Sequence, residues 1–261
     1  MRASRLTIVK RQENRHSSVR RSDEACVLGI YAMSNDHDPE VSFLLDEIRE
    51  EVRSTRDLTG RASLDERVYA ALGRVPRHAF LPDDLRWAAY RNTALPIGYR
   101  QTISQPYVVA LMTDLLEPKA SDTILEIGTG SGYQAAILSC LVRQVYSLEI
   151  VEELAIQAHD RLERLGFDNV EVRVGNGNYG WPEHAPYDSI AVTAAAPSVP
   201  AALIAQLKPG GTLVIPVGNR YTGQDLKVLR KNEAGDIEER SVLPVIFVPL
   251  TGSPEAPRFP P

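Results

Sequence analysis

Nine residues constrain this chain more than any others: Leu125-Glu-Ile-Gly-Thr-Gly-Ser-Gly-Tyr133. The short apolar run Thr123–Ile127 reads as a buried strand, and an apolar helical pattern follows the glycines. Glycine at 128, 130 and 132 lets the backbone turn tightly and lets a ligand approach with no Cβ in the way. Glu149 comes 21 residues after Gly128, at the end of the next apolar run. A carboxylate there can accept two hydrogen bonds from ribose hydroxyls.

Several ligand classes share this layout. A phosphate-cradling loop would end in Gly-Lys-Ser/Thr, which is absent. A dinucleotide site usually reads G-x-G-x-x-G, but position 133 is Tyr. The G-x-G-x-G spacing after Glu126 suits a nucleoside without phosphates, such as S-adenosylmethionine, whose amino-acid end can meet the loop backbone. The competing reading is a tight strand–helix turn with no ligand. Glu149 at the second strand end argues against it.

The rest of the chain reads as alternating strands and helices. Asp38 caps a helix with Pro39 at its first position, and Val41, Leu44, Leu45, Ile48 and Val52 form its apolar stripe. Ser63-Leu-Asp-Glu66 fits a capping box for a second helix that buries Leu64, Val68, Ala71 and Leu72. Residues 92–105 read as a loop, and Pro106 opens a helix through Glu117. The glycine turn leads into a helix through Val142. Strands are expected at 145–149, 170–174, 189–194 and 212–217, with helices at 152–165 and 201–207. Strands at 226–230 and 245–250 have no helix between them and should pair antiparallel at the sheet edge. The expected fold class is α/β, a doubly wound, mostly parallel sheet with antiparallel terminal strands and an N-terminal helical cap.

Composition narrows the function. No apolar run approaches the ~18–20 residues of a membrane span. A formal charge of −5, without Arg/Lys–aromatic interleaving, does not favour nucleic acid. Trp87, Tyr90 and Tyr107 read as core or rim residues. Two cysteines, Cys26 and Cys140, make no disulfide framework and fit a reducing compartment, here the cytoplasm. His16, His37, His78, His159 and His184 lack metal-ligand spacing, so no metal is expected. Gly175-Asn-Gly177 follows the third strand, where Asn176 offers an amide acceptor to an adenine amine or simply makes a turn.

Further segments come in order: Val75-Pro-Arg-His-Ala-Phe-Leu-Pro82, Leu95-Pro-Ile-Gly98, Gln101-Thr-Ile-Ser-Gln-Pro-Tyr107, Ala185-Pro-Tyr-Asp188, Val192-Thr-Ala-Ala-Ala-Pro197 and Phe247-Val-Pro-Leu-Thr251. With the glycine loop they resemble the protein-L-isoaspartate O-methyltransferases, class I S-adenosylmethionine-dependent enzymes of Rossmann-like fold, over about residues 60–252. The resemblance implies methyl transfer from S-adenosylmethionine, leaving S-adenosylhomocysteine, to the α-carboxyl of L-isoaspartyl residues in damaged proteins and peptides. The ester then closes to a succinimide that can reopen as normal aspartate. By the same resemblance the enzyme is soluble and metal-free; a monomer without nucleic-acid or membrane partners is the accompanying expectation.

The resemblance places the active-site serine on Ser104, with Thr102 as the neighbouring hydroxyl. Ser104 also lies two residues before Pro106 and can serve as a helix cap; the two roles are compatible. The cofactor pocket would be lined by Gln101, Thr102, Ile103 and Ser104, by Glu126 and Gly128, Thr129, Gly130, Ser131 and Gly132 of the loop, by Glu149 with Ile150, by Asn176 with Gly177, and by Thr251. An extended peptide would lie over 101–107 and the 192–197 strand end.

Two positions depart from the family pattern. Asn176 stands where the family usually has Asp, which would weaken cofactor binding several-fold. Arg100 stands where the family favours glycine, and reads as a solvated surface arginine. These changes motivate two rivals, a methyltransferase with a different acceptor and a non-catalytic cofactor-binding module. The expected organisation is an N-terminal extension at 1–37, disordered or preceding the true start; a methyltransferase domain at 38–252, divided into helical cap and substrate loop (38–105) and α/β core (106–252); and a proline-rich tail at 253–261. Residues 1–32 carry seven basic and three acidic side chains.

Overall fold

The computed structural model describes residues 38–252. The expectations for 1–37 and 253–261 lie outside them.

Helix α1 (Pro39–Thr59) starts where its sequence says: the Asp38 carboxylate accepts the Glu40 amide at 2.9 Å, and Val41, Leu44, Ile48 and Val52 are buried. Helix α2 (Glu66–Arg74) buries its expected face, but its cap is Asp65 rather than Ser63. Asp65 wins because it is engaged at both ends. Its carboxylate accepts the Arg67 amide, and its own amide donates to Asp114 at 2.7 Å.

The segment 92–105 is not a plain loop. Strands β1 (Leu95–Gly98) and β2 (Gln101–Ile103) form an antiparallel hairpin whose two-residue tip is Tyr99–Arg100. Helix α3 (Pro106–Leu115) follows, ending two residues before Glu117, whose positive φ breaks it.

A seven-stranded sheet makes the core, from β3 (Thr123–Ile127), β4 (Gln144–Glu149), β5 (Val170–Val174), β6 (Tyr187–Val192), β7 (Leu207–Asn219), β8 (Gly223–Lys231) and β9 (Ile237–Val245). The spatial order is β5-β4-β3-β6-β7-β8-β9. Strands β5 to β7 run parallel, and β7-β8-β9 are antiparallel. Helices α4 (Tyr133–Ser139), α5 (Glu152–Arg164) and α6 (Ala201–Ala205) connect the parallel strands. Helix α4 stops three residues short of Val142.

Alternate residues of each strand face opposite layers. Ile124, Val145, Ala191 and Val214 pack with the side of α1 to α4, whereas Leu125, Leu148, Ile190 and Leu213 pack with α6 and Trp181.

The last strand corrects the sequence reading. Residues 245–250 do not form it; β9 is the charged run ending at Val245, with most of its side chains exposed. An edge strand exposed on one face carries too many charges to look like a strand. Segment 246–250 instead crosses the strand ends, where the Ala195 amide donates to the Val248 carbonyl and the Leu250 amide to the Ala195 carbonyl, both at 2.8 Å.

Candidate active site

Strand β3 lies beside β4 on one side and β6 on the other, so the chain leaves it at the point where the winding direction reverses. The glycine loop turns there. The amides of Gly128 and Thr129 both donate to the Leu148 carbonyl, at 2.8 and 3.2 Å. Gly128 has φ +98°, and a Cβ on it would meet the Thr193 hydroxyl at 2.5 Å. That hydroxyl donates to the Gly128 carbonyl at 2.6 Å and locks the loop to the end of β6.

Glu149 closes the other side. Its Oε2 accepts the Gly130 amide at 2.8 Å, and its Oε1 accepts the Val151 amide at 3.0 Å. The residue is only 6% exposed. Each carboxylate oxygen can accept two hydrogen bonds, so both retain capacity for a ligand.

Behind the loop runs a buried polar chain. Ser147 donates to Glu126, and the hydroxyls of Thr129 and Ser147 lie 2.5 Å apart. Glu126 is wholly buried, and burial pushes its carboxyl up to about 8. That rise favours the neutral carboxyl near pH 7. Glu126 sits under the loop and does not line the crevice, contrary to the sequence expectation.

Gly132 also misses the crevice: a Cβ there would press on Leu162 at 3.2 Å, so this glycine seats α4 against α5. Asn176 is also absent from the crevice lining. Its Oδ1 accepts from the Asn178 amide and side chain, both at 3.0 Å, and its Nδ2 donates to the Gly252 carbonyl at 2.7 Å. With the Asn178 side chain donating to the Thr251 carbonyl at 3.1 Å, the two asparagines tie down the strap formed by 248–252.

The crevice is open to solvent at its mouth, and about 770 Å³ lies within its walls and that mouth together. The structure brings the other twelve expected residues to it: Gln101, Thr102, Ile103, Ser104, Gly128, Thr129, Gly130, Ser131, Glu149, Ile150, Gly177 and Thr251. Gly177 is pressed onto β3, since a Cβ would fall 2.1 Å from Ile127. The hydroxyls of Thr102 and Ser104 make no hydrogen bond to any described residue. The cap position of α3 is Gln105, which makes no side-chain cap bond, so the structure gives Ser104 no capping role.

Sequence reasoning missed what holds the roof in place. The Gln105 side-chain amide donates to Glu51 at 3.1 Å, and Asn92 donates to the same carboxylate at 2.7 Å. Asn92 in turn accepts the Tyr107 amide, and the Tyr107 hydroxyl meets Thr55 at 2.6 Å. Burial raises the Glu51 pKa. Arg77, wholly buried, donates to the carbonyls of Ala89 and Thr93 and lies over the Tyr133 ring, which lines the crevice. No sequence period marks these contacts; they join segments far apart in the chain. His78 bonds the Tyr90 hydroxyl at 2.7 Å, away from the crevice.

Among the described residues no group of three or more His, Cys, Asp and Glu side chains could hold a metal ion, and no helix is long and apolar enough to cross a membrane. The crevice thus offers a carboxylate beside a glycine loop, backbone amides, and two unengaged hydroxyls on its roof. Those groups suit a sugar-bearing, cationic ligand beside an acidic acceptor.

Comparison with known proteins agrees with this geometry. The family model described as protein-L-isoaspartate(D-aspartate) O-methyltransferase matches residues 54–255. A protein named protein-L-isoaspartate O-methyltransferase 2 from Polaromonas sp. is 56% identical over 209 residues, covering 80% of this chain and 99% of the relative. One of the same name from Syntrophobacter fumaroxidans is 57% identical over 206 residues, covering 79% and 83%. A solved protein-L-isoaspartate O-methyltransferase superposes with TM-score 0.71 at 26% identity, over 81% of this chain and 66% of that one. A Plasmodium falciparum structure of this kind, with S-adenosyl-L-homocysteine bound, gives 0.63 at 25% identity, over 78% and 97%. The chain belongs to the protein-L-isoaspartate(D-aspartate) O-methyltransferase family.

Proposed function

We propose that this enzyme transfers a methyl group from S-adenosylmethionine to the α-carboxyl of L-isoaspartyl residues in damaged proteins and peptides, starting their repair. The observation that carries the reading is a single crevice holding the amide-anchored Glu149 and the unengaged hydroxyls of Thr102 and Ser104.

When bound, the cofactor supplies an electrophilic methyl on a positively charged sulfur. Glu149 receives the ribose hydroxyls, because its two oxygens are held in place by Gly130 and Val151. The loop from Gly128 to Ser131 would face the amino-acid end, and Gly177, on the crevice lining, would lie near the base. Glu126, its neutral form favoured, adds no second charge behind Glu149. A substrate carboxyl has a pKa of ~4 and is already ionised at pH 7, so no residue has to remove a proton. Thr102 and Ser104 donate hydrogen bonds that orient it, and rate comes mainly from that alignment. The half-buried Glu51 network holds the hydroxyl-bearing segment in place.

Two cysteines in 261 residues and the absence of a membrane-spanning helix among the described residues support a cytoplasmic setting. A monomer is part of the same reading, and the mass in solution tests it. The deciding experiment gives the enzyme labelled S-adenosylmethionine and two peptides that differ only in an isoaspartyl or a normal aspartyl linkage. Label should enter the isoaspartyl peptide alone; equal labelling of both, or of neither, refutes the substrate assignment.

A further inference from the structure

Two consecutive side chains occupy the tip of the β1–β2 hairpin in a conformation that side chains resist. Gly98 pairs with Gln101, so Tyr99 and Arg100 form the whole loop, with φ +50° and +60°. Two positive φ values mark the tight turn in which glycine and asparagine predominate. Packing does not explain the exception. Both residues are exposed, and Arg100 makes no ion pair, hydrogen bond or ring contact with any described residue. A strained, exposed cation with no partner among the described residues is held by the fold without stabilising it.

Its place is informative. Ile97, on the strand leading to the tip, lies 3.4 Å from where a Cβ on Gly130 would stand, so the hairpin bends over the glycine loop. Gln101, Thr102 and Ser104 line the crevice on the strand leaving the tip, but Arg100 does not. Arg100 therefore stands at the rim, one residue outside the lining. A substrate whose reacting carboxylate lies against Thr102 and Ser104 has its neighbouring residues ~3.3 Å further along an extended chain, within reach of an arginine side chain at the tip.

We propose that Arg100 is a specificity-determining residue that favours isoaspartyl substrates carrying an acidic side chain immediately beside the damaged residue. The inference rests on the proposed function. The reacting carboxylate is not the partner, because the hydroxyls that would orient it lie inside the crevice and Arg100 does not. An exposed guanidinium–carboxylate pair is modest and screened by salt, so the preference is small and dependent on ionic strength.

The test compares kcat/KM for isoaspartyl peptides with Glu, Gln or Lys placed in turn before and after the damaged residue. At low ionic strength the unmutated enzyme should prefer Glu over Gln about three- to sixfold at one of the two positions, and the ratio should shrink at 0.5 M salt. Arg100→Gly, which relieves the positive φ, should bring the ratio to about one. Arg100→Lys should retain most of it, and Arg100→Glu should invert it in favour of Lys. A ratio that Arg100→Gly leaves unchanged, or no preference at either position, overturns the inference. Failure to methylate any of these peptides would instead overturn the proposed function.

Discussion

The Glu149 carboxylate accepts the Gly130 amide at 2.8 Å, so the acid at the end of β4 and the middle glycine of the loop form one wall of the crevice. That contact shapes the loop, and the proposed function adds a second job, receiving the ligand. Glu149→Ala should lower the affinity for S-adenosylhomocysteine roughly 30- to 100-fold, the scale of a lost charge-assisted hydrogen bond with its loop disordered. Titration calorimetry reads this directly. Affinity within twofold of the unmutated enzyme would remove Glu149 from the binding site.

Ser104 separates chemistry from stability. It caps nothing, so Ser104→Ala should leave the thermal midpoint within a degree or two, a surface-like change. Its kcat toward an isoaspartyl peptide should fall about tenfold or more, since a hydrogen bond to a charged group is lost, while S-adenosylhomocysteine binding stays nearly constant. Unaltered turnover would assign orientation of the acceptor to Thr102 or to the backbone.

Glu126 makes stability depend on pH in a definite direction. Its carboxyl titrates at about 8 in the fold, against 4.5 ordinarily. Between those values the folded state holds a proton that the unfolded chain has released, so its contribution falls as pH rises. The slope is at most about 1.4 kcal/mol per pH unit and levels off above the folded value. Glu126→Gln keeps the shape and an acceptor for Ser147 but cannot ionise. Denaturant melts from pH 5 to 9 should therefore show the mutant gaining on the parent as pH rises. Parallel curves would mean that Glu126 is charged in the fold.

Asn176 reverses what its sequence context suggests. Restoring the family's Asp would put an acceptor against the Gly252 carbonyl, where the amide now donates at 2.7 Å. Asn176→Asp should therefore loosen the 248–252 strap and weaken S-adenosylhomocysteine binding about three- to tenfold, the cost of a lost hydrogen bond of ~1 kcal/mol. Tighter binding in the mutant would show that the side chain serves the ligand rather than the strap.

The parts of the molecule that a sequence displays are those with a local cause. Asp38 and Pro39 start α1, short apolar runs place β3 and the parallel strands beside it, and the glycine spacing puts the turn at the end of β3. What it hides depends on partners far along the chain. Asp65 outcompetes Ser63 as a cap through Asp114, and β9 is a strand because β8 pairs with it despite its charges. The hairpin at 95–103 is invisible because Tyr99 and Arg100 are poor turn residues on paper. Glu126, Gly132 and Asn176 belong to the motifs that build the site, yet they act on protein neighbours rather than on the crevice. Motif membership reports proximity to a site, not which way a side chain serves it.

The floor of the crevice comes from residues 127–151 and 175–177, while its roof comes from 101–104, on a hairpin that precedes the whole sheet and joins it through α3. The two walls of one crevice thus come from segments far apart in the sequence, joined by a single helix. A change in that hairpin should therefore be felt on both sides of the crevice, because Ile97 bends over Gly130 of the glycine loop while Gln101 and Thr102 line the opposite wall.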